Sequence, residues 1–184
     1  MPPAPSAAPP IDEMPAAVMV VLRYLMQEAA AAVEGAQVAM VGNEGRGLTL
    51  ASGVLVRLFH AAPALGLPSG VGAASGHSTL DLHVLFTCVG DEQRYEPARL
   101  LGRCMAQLDA YPKLDAGLAS VALREVSGHG LREKALLSAW PELSHVPGSL
   151  SLSDLASLQN NSSSPRGPTL VTRVLSVPCS VVRS

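Results

Sequence analysis

A strand, a turn and a helix follow one another in residues 78–116, and this unit constrains the fold more than any other part of the chain. Apolar side chains recur at every second position of the first part, which is typical of a strand with one face on a hydrophobic core. The apolar positions of the predicted strand are Leu80, Leu82, Val84, Phe86 and Cys88. The opposite face carries Asp81, His83, Leu85 and Thr87.

The second part of the unit predicts a helix between two prolines. Residues 89–92 supply a turn, and Pro97 suits the first turn of a helix because its missing N–H has no intrahelical partner there. Pro112 disfavours helical geometry at Tyr111, so the helix is expected to end at residues 109–111. Its apolar stripe is predicted from helical spacing at Leu101, Met105 and Leu108, widened by Ala98, Leu100 and Cys104.

The remaining segments predict a single α+β domain at residues 11–182, with a mixed or antiparallel sheet and helices packed on it. Residues 1–10 are rich in Pro and Ala and are expected to form a disordered or extended arm. Regular alternation of strands and helices, typical of doubly wound nucleotide-binding folds, is missing. The other predicted elements are helices at 11–34 and 131–140, strands at 37–41, 48–60, 119–126 and 169–177, a strand or mixed segment at 149–158, and loops at 42–47, 61–78 and 160–168.

The composition of the chain limits the classes of molecule that it is expected to bind. Hydrophobic residues make up 48% of the chain and charged residues 15%, and the mean hydropathy is +0.27. Such a chain either hides surface in an assembly or is simply rich in alanine. The net charge of −2 and the aromatic content of 3% disfavour nucleic acid as a partner.

Membrane insertion and secretion are not predicted. The longest apolar stretch, residues 15–33, is interrupted by Arg23, Gln27 and Glu28, which favours packing on protein over crossing a bilayer. Residues 1–10 have no basic start and no apolar core of a secretory signal. The three cysteines lack a CxxC spacing and fit a reducing, cytoplasmic compartment, with Cys88 and Cys104 expected to be buried.

One cluster offers residue types that bind metals. His77, Asp81 and His83 lie on or next to the same strand face, which defines one hypothesis: a small cytoplasmic metal- or ligand-binding enzyme. The competing interpretation is a polar strand face that contacts a neighbouring subunit. The glycine-rich segment 42–47 has no Lys-Ser/Thr ending, and no GxSxG elbow is present, so neither a nucleotide loop nor a hydrolase is predicted. No cofactor is expected.

Several segments together resemble a known family. The pattern LxLHxLF at residues 80–86, the acidic turn, Tyr95, and LLGxxMxxLxxxPxLD at residues 100–115 are similar to the tail-terminator, or cap, proteins of phage-tail-like contractile injection systems. Residues 53–60 resemble an earlier strand of that family, 131–143 a late helix with a tryptophan, and 169–177 its closing strand. The order of elements is similar over residues 14–182.

The resemblance implies a non-enzymatic structural protein with a terminator-like α+β fold. It implies a homohexameric ring at the end of the tail away from the baseplate, which ends tube and sheath polymerisation and joins the two. The implied partners are the inner tube and sheath proteins, with assembly in the cytoplasm and a particle that is released or retained. Candidate subunit or partner contacts are Asp81, His83, Arg94, Tyr95, Arg99, Arg103 and Arg173.

Overall fold

The computed structural model describes residues 11–41, 50–64, 77–149, 151 and 167–180. A 3₁₀ turn at Ile11–Glu13 leads directly into the first helix. In chain order the elements that follow are α1 (Met14–Ala30), β1 (Gln37–Met40), β2 (Gly53–Pro63), β3 (His77–Val89), α2 (Glu96–Ala110), β4 (Lys113–Leu114), α3 (Ala116–Glu125), α4 (Glu133–Ser138), β5 (Leu143–Pro147) and β6 (Thr169–Ser180).

The strands form a six-stranded mixed sheet with the order β1-β2-β3-β6-β5-β4. β1 is parallel to β2, and the other neighbouring pairs are antiparallel. The long strands β2, β3 and β6 occupy the centre. The prediction of a single α+β domain with a mixed sheet is confirmed.

Helices cover one face of this sheet, and the core lies between them. The central helix of the layer is α1, which contacts both α2 and α3. Its buried side chains include Met14, Leu22 and Leu25, each fully shielded from solvent. The alternating residues predicted for β3 supply the facing layer, since side chains of a strand point to opposite faces in turn. Leu82, Val84, Phe86 and Cys88 are all 0% exposed.

The predicted helix after β3 is present, but its buried stripe is rotated from the expected one. Leu100, Cys104 and Leu108 are buried, whereas Met105 is 47% exposed. Both sets have helical spacing, so periodicity alone does not separate them. The buried set lies on the side of α2 that contacts β3 and α1. Met105 therefore faces away from the core.

The prediction of a strand at residues 119–126 is wrong. This segment belongs to α3, which begins after Asp115, whose Oδ1 accepts the backbone N–H of Leu118 at 2.8 Å. That bond is a helix N-cap. Ala119, Ala122 and Leu123 are the buried positions, and their spacing of three and four is helical.

Two smaller expectations are corrected, and a third, for Trp140, holds. β5 lies at Leu143–Pro147, where no strand was expected, and β6 continues through Pro178 to Ser180. Trp140 anchors the end of α4 as predicted, because its Nε1 donates to the carbonyl of Leu114 in β4 at 2.8 Å.

Several predictions concern residues that the structure does not describe. They are the arm at 1–10, the loop at 42–47, most of the loop at 61–78, nearly all of the segment at 149–158, and the loop at 160–168 up to residue 166. The domain boundaries stay predictions. Within the described ranges, no helix has the length and apolar character needed to cross a bilayer.

Candidate interaction surfaces

Asp81 is tied to the neighbouring strand β6. Its Oδ1 accepts the backbone N–H of Ser176 at 2.9 Å, and its Oδ2 lies 4.0 Å from Nε of Arg173. Ser176 has a left-handed backbone with φ +55°, at the point where the pairing of β3 with β6 shifts register after Leu80. An extra residue in one strand produces this kind of bulge. The carboxylate of Asp81 therefore holds the bulge.

His83 lies on the same sheet face, opposite Arg173 in the register of β3 and β6. Its ring meets that of His60 edge to face, with centroids 5.6 Å apart. Asp81, His83 and Arg173 alternate with the core residues Leu82 and Val174. Together they form what we call the polar sheet face, on the side of the sheet turned away from the helices; the same side also carries the buried Leu85 and Val171.

The structure gives no support to the hypothesis that His77, Asp81 and His83 bind a metal. Among the described residues, no group of three or more His, Cys, Asp or Glu side chains is placed to hold a metal ion. The side chain of His77 is outside the description. The carboxylate of Asp81 is engaged by Ser176, which gives this residue a structural role on the strand face.

The turn before α2 presents Tyr95 to solvent in a strained conformation. Tyr95 is 74% exposed and has φ +56°, a left-handed value that is costly for a residue with a side chain. The N–H of Asp91 donates to Oε2 of buried Glu96, and the N–H of Glu96 donates to the carbonyl of Asp91, both at 3.1 Å. This pair of bonds fixes the turn. Strained residues held by their surroundings occur often at functional sites.

Three arginines accompany Tyr95 on the exposed side of α2 and its turn. The side chain of Arg94 is 71% exposed and lies 3.7 Å from Oε1 of Glu96. Arg99 and Arg103 are exposed, lie one helical turn apart, and form no ion pair with another described residue. We call Arg94, Tyr95, Arg99 and Arg103 the basic α2 face.

The seven candidate residues thus fall into two groups on opposite sides of the sheet. Asp81, His83 and Arg173 share the polar sheet face, and the other four share the basic α2 face. The sequence placed Asp81 and His83 together by alternation. It gave no register between β3 and β6, which is what brings Arg173 to them.

A further surface was not predicted. Glu28 of α1 and Glu125 of α3 are exposed, and Tyr24 and Tyr111 lie beside them. The pKa of the Tyr24 hydroxyl is raised, mainly because the hydroxyl is desolvated by burial. The nearby Glu28, Tyr111 and Glu125 raise it further by charge repulsion. We call these four residues the acidic patch. They come from three distant segments, so only the packing of α1 against α3 assembles them.

Comparison with known proteins supports the fold. No protein-family model and no curated protein sequence matches the chain. Among solved structures, the chain is similar to the sheath/tube terminator of PVC, an extracellular contractile injection system, in its extended state. The similarity has a TM-score of 0.55 at 14% identity and covers 91% of this chain and 57% of the terminator chain. At this identity the likeness concerns the fold, and the chain matches a little over half of that protein.

Proposed function

We propose that the protein is a structural terminator of a contractile injection system tail. It binds the last ring of the inner tube and sheath, ends their polymerisation and joins them at the end distal to the baseplate. The single observation that carries the proposal is the similarity of fold to a sheath/tube terminator over 91% of the chain. The partners are the tube and sheath proteins of the same particle.

The mechanism is geometric rather than enzymatic. A tube grows because each ring presents to the next ring the surface that the previous one presented to it. A terminator ends growth by matching the last ring on one side and offering no continuation on the other. Identical subunits joined by heterologous contacts close into a ring when their rotation divides the circle, and a ring of six would match a six-fold tail.

The two candidate surfaces suit such a role because they lie on opposite sides of the sheet. The basic α2 face offers an exposed tyrosine with neighbouring arginines, and these two residue types are enriched at the energetic centres of interfaces. The polar sheet face offers His83 and Arg173 on a strand pair fixed by Asp81. One protomer can therefore contact different neighbours through its two sides.

The test is binding to the ends of isolated tails. Tails would be purified from producing cells that lack the protein, mixed with the tagged wild-type chain, and imaged by negative stain with a gold label on the tag. The proposal predicts label at the end distal to the baseplate. Label along the sheath, at the baseplate, or on no part of the tail would overturn it.

A variant tests in the same assay whether end binding needs the basic α2 face, either as a contact with the tail or as a contact between the subunits that bind it. Tyr95→Ala combined with Arg99→Ala is expected to lose end binding while the protein stays folded, since both side chains are exposed. Lys134→Ala, which removes an exposed cation from α4, is the matched control and is expected to bind as wild type does. Retained end binding by the double variant would remove the basic α2 face from the proposal.

A further inference from the structure

Two of the three arginines of the basic α2 face carry positive charge that no acidic side chain of the described residues pairs with; the third, Arg94, lies 3.7 Å from Oε1 of Glu96. Arg99 and Arg103 lie at positions i and i+4 of α2, where like charges repel. Neither forms an ion pair with another described residue. Glu96, the acidic residue of the first turn of α2, is buried and accepts the N–H of Asp91. This surface therefore favours an acidic partner.

The acidic patch carries negative charge that has no ion-pair partner among the described residues. Glu28 lies in the last turn of α1, and Glu125 is the last residue of α3. Both carboxylates thus sit at helix C-termini, where the macrodipole disfavours negative charge. Neither forms an ion pair with another described residue. Tyr111, at 41% exposed, adds apolar area beside them.

The two surfaces are separate, so they do not satisfy each other within one chain. Along α2, Arg103 lies roughly 10 Å and Arg99 roughly 16 Å from the C-terminal end at the helical rise of 1.5 Å per residue. Tyr111 of the acidic patch directly follows that end. Screening in physiological salt reduces charge interactions beyond about 8 Å. Each surface therefore keeps its charge available for another molecule.

We propose that a second copy of the chain docks its acidic patch onto the basic α2 face of the first copy. Charge complementarity favours this occupant, because the same chain carries both surfaces. The contact is heterologous, since two different surfaces meet, and heterologous contacts generate closed rings or open filaments. The inference rests on the proposed terminator function, and it names the residues that join neighbouring subunits of its ring.

Charge reversal tests the contact. One variant carries Arg99→Glu and Arg103→Glu, and the other carries Glu28→Arg and Glu125→Arg. Self-association would be measured by sedimentation velocity at low salt, with circular dichroism to establish that each variant is folded. The wild-type chain is expected to associate, and each variant alone is expected to associate roughly 100-fold more weakly because like charges then face each other.

Restored association supplies the decisive result. An equimolar mixture of the two variants is expected to assemble, because every contact again joins opposite charges. The chain that carries all four reversals is expected to associate alone for the same reason. Lys134→Glu, a matched reversal on α4, is expected to leave association unchanged. A monomeric wild type at low salt, or a mixture no better than either variant, would overturn the inference.

These outcomes are distinguishable from failure of the proposed function. If the reversals leave association unchanged while the wild type still labels tail ends, this subunit contact is wrong and the terminator proposal stands. If association follows the charges but no tail end is labelled, the contact stands and the terminator proposal fails.

Discussion

Asp81 accepts the backbone N–H of Ser176 across two strands, at 2.9 Å. Ser176 is in the left-handed region, so its amide does not lie in the regular ladder of β3 and β6. The carboxylate replaces the missing strand partner. A residue that the sequence identifies as a polar member of a strand face therefore fixes the geometry of the closing strand.

Replacement of Asp81 should destabilise the protein. Asp81→Ala is expected to lower the free energy of unfolding by about 1 kcal/mol, the usual net value of one hydrogen bond. Asp81→Asn keeps a carbonyl acceptor at the same position and should lose less. Urea denaturation followed by circular dichroism measures both. Equal stability of Asp81→Ala and wild type would contradict the role assigned to this carboxylate.

Tyr95 should show opposed effects on stability and binding. Its left-handed backbone favours glycine, so Tyr95→Gly is expected to be more stable than Tyr95→Ala, by up to about 1 kcal/mol. Both variants lack the exposed ring, so both should bind tail ends weakly. Thermal melts and the end-labelling assay separate the two properties. Wild-type binding to tail ends by either variant would show that the aromatic ring of Tyr95 makes no contact with the tail.

The link between the first turn and α4 should depend on pH. Glu13 accepts from the backbone N–H of Arg132 at 2.9 Å and from its Nε at 2.6 Å. These bonds, the backbone one first, hold the pKa of the Glu13 carboxyl below its ordinary 4.5. A carboxyl with a lowered pKa stabilises the fold above its unfolded-state value, and the contribution is lost as the pH falls through the folded-state value.

Glu13→Gln is therefore expected to be less stable than wild type at pH 7. The difference should shrink as the pH falls below 4.5 and disappear once the wild-type carboxyl is protonated. Urea denaturation at a series of pH values measures it. Asp12→Asn is the control, because Asp12 reaches Arg132 only at 3.5 Å and should matter less. A difference independent of pH would contradict the assignment.

The thiols should differ in reactivity. Cys88 and Cys104 are buried, whereas Cys179 is half-buried. The hydrogen bond with Cys88, together with burial, raises the pKa of the Cys104 thiol, which suppresses the reactive thiolate. Under native conditions an alkylating reagent is expected to label Cys179 first, and the other two thiols should react only after unfolding. Mass spectrometry of digests checks this, and early labelling of Cys104 would contradict it.

The sequence predicted the centre of the fold better than its periphery. The alternation in β3 is unambiguous because five apolar residues share one period, and Pro97 and Pro112 delimit α2 from both sides. Residues 119–126 are not bounded by a proline on each side in this way. Their apolar residues fit both periods, so the local signals for a helix were the N-cap at Asp115 and the helix-favouring Ala, Leu, Arg and Glu residues of the segment.

The candidate surfaces show the same limit. Spacing along one helix was enough to group Arg99 with Arg103. The acidic patch forms only where α1, α3 and Tyr111, the residue after α2, come together in the folded chain. No local sequence pattern predicts which of these segments are in contact. Met105 illustrates the ambiguity within a single helix: its apolar side chain suggested the core, and the orientation of α2 on the sheet exposed it.

The length of tails made with and without the protein tests the central claim most directly. Tails from producing cells and from cells that lack the gene would be measured by electron microscopy, with restoration by the wild-type gene as the control. The terminator account predicts a narrow length distribution with the protein, and overlong or uncapped tubes and sheaths of variable length without it. Tails of unchanged length and intact distal ends in its absence would contradict the account.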